Sequence, residues 1–215
     1  MHIYIILLLI PYFFSYINKN ISSRSEAIFL IFYLFILVFF LGLRLEFGTD
    51  WYEYSKDYYQ TVSNYINSNF FDFFGNQFVE NFNLMNLIGN MPLYNLSLIL
   101  SYYISDNIIF FNFLNSFLAV FGIFFYCKIL NISNKKIWPI LCFVFPFLIF
   151  VSTDVIRQFT SLIFVLLSIS YFLKSRFMIC IVCLVIATLF HIASMIFFAI
   201  FFFSKPKYRI GITIF

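Results

Sequence analysis

Hydrophobic runs near residues 3–17, 27–43, 107–130, 137–153, 158–173 and 177–203 are separated by short polar breaks, except for one long stretch between the second and the third. A helix needs about 20 apolar residues to cross the hydrocarbon core of a bilayer, so each run predicts a membrane helix, the first being short and the last long. Between Leu84 and Ile104 a weaker segment is interrupted by Asn86, Gly89, Asn90, Pro92 and Asn95. It predicts an interfacial or re-entrant helix, not a full crossing. The final run exceeds one span and carries its polar residues at Phe190-His191-Ile-Ala-Ser194. Both of its flanks are basic, which predicts a bend at that point, with a single long tilted helix as the alternative. The pattern therefore predicts an all-α, polytopic integral membrane bundle. It has about five to seven transmembrane helices plus the peripheral helix near 84–104, in one transmembrane domain covering residues 1–215.

Composition narrows this in one direction. With 63% hydrophobic and 10% charged residues and a mean hydropathy of +0.97, the chain is neither disordered nor an ordinary soluble domain. The 36 Phe and 15 Tyr are read as compositional bias and carry little functional weight. The net charge of +4 is held in clusters beside the runs, at Lys19/Arg24, Lys128/Lys135/Lys136, Lys174/Arg176 and Lys205/Lys207/Arg209. That arrangement sets membrane topology and does not point to nucleic acid. The four cysteines all lie inside hydrophobic runs, and Cys180-Ile-Val-Cys183 has no His or second Cys pair near it, so its thiols read as small apolar residues. The first run has no basic segment before it and no small-residue cleavage site after it, and is expected to be a retained helix.

Cytoplasmic loops collect Lys and Arg. Placing the clusters at 19–24, 128–136 and 174–176 in the cytoplasm puts the 44–80 loop on the extracytoplasmic side of the cell membrane. That loop carries Glu46, Asp50, Glu53, Asp57, Asp72 and Glu80 against Arg44 and Lys56. The break at Ser152-Thr153-Asp154-Val-Ile-Arg157-Gln158, and His191, fall on the same side. Polar residues from separate helices that meet at one membrane level line shared cavities, which makes this face the candidate site.

Each residue also has a plainer reading. Arg44 ends a helix and can reach lipid headgroups. Gly48-Thr49-Asp50 followed by Glu53 fits a helix cap, Asp50 at the N-cap and Glu53 reaching back. Asp154 and Arg157 fit an intrahelical pair, which leaves Gln158 unexplained. His191 alone fits a hydrogen-bonded core histidine.

The order of Gly42-Leu-Arg44, Gly48-Thr49-Asp50-Trp51-x-x-Tyr54, a Glu at 80, Ile156-Arg157-Gln158 and Phe190-His191-x-x-Ser194 resembles the EpsG family of membrane proteins. These are Wzy-like polymerases of exopolysaccharide, capsule or O-antigen repeats. The resemblance runs from about residue 40 to 200. Members tend to be longer, so C-terminal helices are expected to be missing. Where the family often has Ala or Gly after the Arg-Gln pair, Phe159-Thr160-Ser161 stands here, and disturbed packing is expected.

The resemblance implies a glycosyltransferase that joins oligosaccharide repeats carried on polyprenyl diphosphate at the outer membrane face. Other polysaccharide-assembly proteins would be its partners. Arg44 and Arg157 would hold the diphosphate, because a guanidinium donates bidentate hydrogen bonds and keeps its charge in a low dielectric. Asp50 or His191 would take the acceptor hydroxyl proton, or His191, if protonated, would stabilise the leaving group. Thr49, Trp51, Tyr54, Glu80 and Gln158 would contact substrate, the aromatic residues by stacking on sugar rings. No cofactor or metal is implied, since the external loops carry no Asp-x-Asp signature. A lipid-linked sugar flippase, or a non-catalytic membrane protein of the same pathway, is the alternative. Transporters usually repeat their broken helices, and no second copy of the Gly-Thr-Asp or Arg-Gln segment is present.

Overall fold

The computed structural model describes residues 2–17, 22–43, 51–67, 91–154 and 156–203, and every regular element among them is helical. In chain order these are α1 (His2–Ile17), α2 (Ser23–Gly42), α3 (Trp51–Ile66), α4 (Pro92–Ile104), α5 (Ile108–Ile129), α6 (Asn134–Asp154), α7 (Ile156–Leu173), α8 (Phe177–Phe190), a 3-10 turn (Ile192–Met195) and α9 (Ile196–Phe203). Among the described residues, α2 and α5 are each long and apolar enough to cross a bilayer.

The helix ends follow local chemistry. The Ser22 hydroxyl accepts the Ser25 N–H at 3.2 Å to open α2, and Asn107 Oδ1 accepts the Ile109 N–H at 3.1 Å to open α5. Pro92 supplies the first position of α4, where no N–H is needed. Neither α5 nor α7 is followed by glycine. The chain turns through Asn131 (φ 59) and Ser175 (φ 58) in the left-handed region. In each case the next residue's N–H returns to the helix, Ile132 to Cys127 O and Arg176 to Tyr171 O, both at 2.9 Å.

Side-chain contacts give the relative directions of the helices. A Cβ at Gly42 would lie 2.7 Å from the Phe113 ring, and Phe35 meets Phe121 edge-on at 5.3 Å, so α2 and α5 run antiparallel. Thr160 bonds Asn115 and Ile163 fills the space beside Gly122, so α5 and α7 run parallel. Ser161 reaches Ala187 and Ser168 reaches Cys180, so α7 and α8, the most extensively packed pair, run antiparallel. Close backbone approach at small residues is how helices associate in lipid, where burial of apolar surface offers little drive.

α6 starts at the C-terminal end of α5, and α7 starts level with the N-terminal half of α5. The 21 residues of α6 therefore carry the chain back along the bundle, a length of roughly 30 Å at 1.5 Å per residue. The consequence is that Arg24, Lys128, Lys135, Lys136, Lys174 and Arg176 all sit at helix ends on one side of the bundle. The C-terminus of α2 and the N-termini of α5 and α7 lie on the other, with the C-terminus of α8.

The long final run is not one tilted helix. α8 stops at Phe190, His191 is extended (φ −157, ψ 120), and the chain resumes through the 3-10 turn into α9. The weak segment forms a helix over Pro92–Ile104, packed on α3, α5 and α8; residues 84–90 lie outside the described residues. Three buried clusters hold these elements together. The largest joins α1, α2, α5, α6 and α7 around Leu34, Leu37, Val120 and Trp138. A second joins α3, α4, α5 and α8. A third joins α7 and α8 around Val165, Cys180 and Leu184, with Phe197 and Phe201 of α9 against it.

Candidate functional site

The described polar residues at the end opposite the basic loops form a buried seam. Asn112, Asn115 and Ser116 of α5 and Thr160 and Ser161 of α7 are all buried, as is Ser194 in the 3-10 turn. Thr160 Oγ1 donates to Asn115 Oδ1 at 2.9 Å, and Asn115 Nδ2 donates to Phe111 O at 2.7 Å. Ser161 Oγ donates to Ala187 O at 2.8 Å and is also hydrogen-bonded to Ser194 Oγ. Ala187 O accepts the His191 N–H as well, at 2.9 Å, and Ser194 N–H returns to His191 O at 3.1 Å. Phe164, one turn past Ser161, stacks on Phe190 at 5.7 Å and 10°. Thr160, Asn115 and Ser161 thus pair their buried polar groups with acceptors on neighbouring turns and helices, as a low-dielectric interior favours.

Phe159, Thr160 and Ser161 therefore do not disturb packing as expected. All three are buried, and the two hydroxyls find partners on α5 and α8. The substitution of larger polar residues for Ala or Gly is matched by Asn115 opposite and by the Ala187 carbonyl in the last turn of α8, which takes Ser161 as a second donor beside the His191 N–H.

α3 docks on this same end. Tyr54, Tyr58 and Val62, at helical spacing, pack with Tyr94 and Leu98 of α4, Ile108 and Phe111 of α5 and Phe190 of α8. Tyr58 OH donates to Ser105 O at 3.4 Å. Burial pushes its hydroxyl up to about 12, with the Asp106 carboxylate, Tyr59 and Tyr102 adding to the effect. Tyr65 and Tyr103 share a hydroxyl hydrogen bond of 2.7 Å between α3 and α4, which raises the Tyr65 pKa.

The sequence candidates fall as follows. His191 is half-buried, with its Nδ1 shielded from solvent. Phe190 beside it belongs to the same buried cluster as Tyr54 of α3. Tyr54 is enclosed in that core, while Tyr52 is exposed. Gln158 is exposed on α7. The backbones of Trp51 and Arg157 open α3 and α7, but their side chains lie outside what is described. Asp154 ends α6 and Arg157 belongs to α7. Arg44, Thr49, Asp50 and Glu80 lie outside the described residues. α3 begins at Trp51, directly after the expected N-cap position. Among the described residues no three His, Cys, Asp or Glu side chains gather as a metal site. Cys180 and Cys183 are buried free thiols in the α7–α8 packing.

Sequence reading missed Asn112, Asn115, Ser116, Thr160 and Ser161. The available signal was Asn112, Asn115 and Ser116 at spacings of three and four, one face of an otherwise apolar helix.

Residues 26–215 match the EpsG family. The chain belongs to that family. No curated protein and no solved structure matches it. Membership makes this EpsG protein a polysaccharide-related membrane protein. The match also covers in one stretch the segments that supply α3, the start of α7 and the break after α8.

Proposed function

We propose that this EpsG protein is a polymerase of polysaccharide repeats, working as a polytopic bundle of about five to seven crossings at the extracytoplasmic face of the cell membrane. One observation carries the reading. The hydrogen bonds of Ser161 to Ala187 O and to Ser194 Oγ hold α7, one helical turn after Arg157, against the turn that presents His191. Both lie at the end away from the Lys and Arg clusters, the end that the distribution of positive charge assigns to the outside.

In the reaction, a hydroxyl of one polyprenyl-diphosphate-linked oligosaccharide attacks the anomeric carbon of the chain carried on another. The bond from that carbon to the diphosphate oxygen breaks, and lipid diphosphate leaves. Arg157, with Arg44, meets the charge that develops on the leaving group. His191 or Asp50 receives the hydroxyl proton. Thr49, Trp51, Tyr52, Glu80 and Gln158 face the sugars, and Tyr54, enclosed in the core, seats α3.

The test is a gel of lipid-linked glycans from the source strain lacking the gene, restored with wild type or Arg157→Ala. Single repeats on the outer face in the deletion, with a ladder restored by wild type, support polymerisation. Arg157→Ala should lower the ladder about 100- to 1,000-fold, the scale of a lost transition-state donor. Repeats accumulating on the cytoplasmic face would make the protein a flippase. An unchanged ladder would remove it from this chemistry.

A further inference from the structure

The α7–α8 pair carries two cross-helix bonds of the same kind at opposite ends. Near the basic end, Ser168 Oγ donates to Cys180 O at 3.0 Å. Near the other end, Ser161 Oγ donates to Ala187 O at 2.8 Å. Both serines are buried on α7, and both carbonyls belong to α8. What differs is what the carbonyl does next.

Cys180 is an interior residue of α8. Ala187 lies in its last turn and also accepts the N–H of His191, the residue that leaves the helix. A carbonyl oxygen has two lone pairs, so Ser161 and His191 together fill Ala187 O. Ser161 has one proton, which this bond uses, and the remaining contact between Ser161 Oγ and Ser194 Oγ is then a donation from Ser194. Ser194 N–H in turn bonds His191 O at 3.1 Å. The four groups form a closed set: His191 N–H to Ala187 O, Ser161 to Ala187 O, Ser194 to Ser161, and Ser194 N–H to His191 O. His191 is thus tied on both its N–H and its C=O, and the tie is anchored on α7 one helical turn after Arg157.

From this network we infer that Ser161, with Ser194, is a positioning residue. It sets the His191 turn relative to the first turn of α7, so that the imidazole and the Arg157 turn face one substrate, whereas Ser168 holds the same two helices together with no effect on the site. The inference rests on the polymerase reading for its consequence in rate, but the coupling between Ser161 and His191 is a property of the chain alone.

The experiment compares Ser161→Ala with Ser168→Ala, each losing one hydroxyl-to-carbonyl bond between α7 and α8. The chain has two histidines, and His2→Gln in the full-length protein leaves His191 as the single imidazole signal in an NMR spectrum of the detergent-solubilised protein. Thermal melting should fall by a similar amount in both variants. Ser161→Ala should shift or broaden the His191 signal and lower polymer formation by roughly ten- to a hundred-fold, the scale on which a displacement of about 1 Å costs rate. Ser168→Ala should leave the signal in place and the rate within about twofold. Ser161→Ala combined with His191→Ala should form polymer no more slowly than His191→Ala alone, since the serine acts through the histidine.

If the two serine variants change the His191 signal equally, or neither changes it, the positioning role is wrong. A shifted signal in Ser161→Ala with no polymer formed by the wild type would sink the polymerase reading and leave the coupling standing. A wild type that forms polymer, with an unshifted signal and an unchanged rate in Ser161→Ala, would do the reverse.

Discussion

The two halves of α5 serve different neighbours. From Ala119 to Cys127 it is apolar and packs in the cluster that contains Leu34, Leu37, Trp138 and Ile163. From Ile108 to Ser116 it buries Asn112, Asn115 and Ser116 and meets α3, α4 and the start of α7. The apolar half gains contact wherever shapes fit, and many arrangements of aliphatic and aromatic side chains would serve. The polar half has few acceptable partners, because an amide or hydroxyl left unbonded away from water costs about 1–3 kcal/mol. One end of the bundle is therefore held by shape and the other by specific pairing. The candidate chemistry lies at the second.

The largest effect is expected at the apolar end. Trp138 is fully buried, stacked on Phe14 at 4.7 Å and tilted against Tyr33 at 5.5 Å. Trp138→Ala should destabilise the fold by about 3–5 kcal/mol, as large-to-small changes in a core do. In a detergent unfolding titration the midpoint should drop sharply, while polymer formed per folded molecule stays near wild type. Equal losses in both would erase the distinction between the two ends.

Thr160→Val is the converse test. It keeps the shape of the side chain and removes the donor to Asn115 Oδ1. Hydrogen bonds between membrane helices contribute about 0.6 kcal/mol on average and up to about 1.7, so the unfolding midpoint should move less than for Trp138→Ala. Polymer formation per folded molecule should nonetheless fall, because the start of α7 loses its tie to α5. A variant as active as wild type would show that this bond is only structural.

The smallest effect concerns Tyr58. Its hydroxyl is raised from an ordinary 10.0 to about 12 by burial and by Asp106. A group with a raised folded pKa leaves stability intact below the unfolded value, and that stability is lost as pH rises from about 10 through about 12. Absorbance titration of tyrosinate should lose one group ionising at about 12 in Tyr58→Phe, beside other late-ionising tyrosines that remain. An unchanged curve would place Tyr58 outside the α3–α4–α5 packing.

Helix class and several boundaries were legible in the chain. The run near 107–130 became Ile108–Ile129, and the run near 27–43 became Ser23–Gly42, because an apolar stretch bounded by Asn107 or Ser22 leaves little choice of structure or start. The break at His191 was legible too, since a run between two basic ends is too long for one span.

What remained hidden was partnership. Hydropathy marks Asn112, Asn115 and Ser116 as polar but does not say that Thr160 stands opposite, nor that Ser161 meets the Ala187 carbonyl in the last turn of α8. The expectation of disturbed packing at Phe159-Thr160-Ser161 failed for this reason: whether a polar residue in a membrane helix is a burden depends on the residue facing it. Nor did spacing show that Tyr54 is enclosed while Tyr52 is exposed, because α3 can choose its inner face only once α4, α5 and α8 are in place.

The amino-acid sequence by itself determined that the chain is helical and apolar, where its helices begin, which ends carry positive charge, and that it bends at His191. These follow from local backbone preference and from the cost of putting charge in a bilayer, which each segment feels alone. Only the tertiary structure decided that α7 runs parallel to α5 and antiparallel to α8, and so that the Arg157 turn and the His191 turn share one hydrogen-bonded seam. A hydrogen bond needs its donor and acceptor within about 3 Å, and residues 26 to 45 positions apart reach that distance only after the helices have packed.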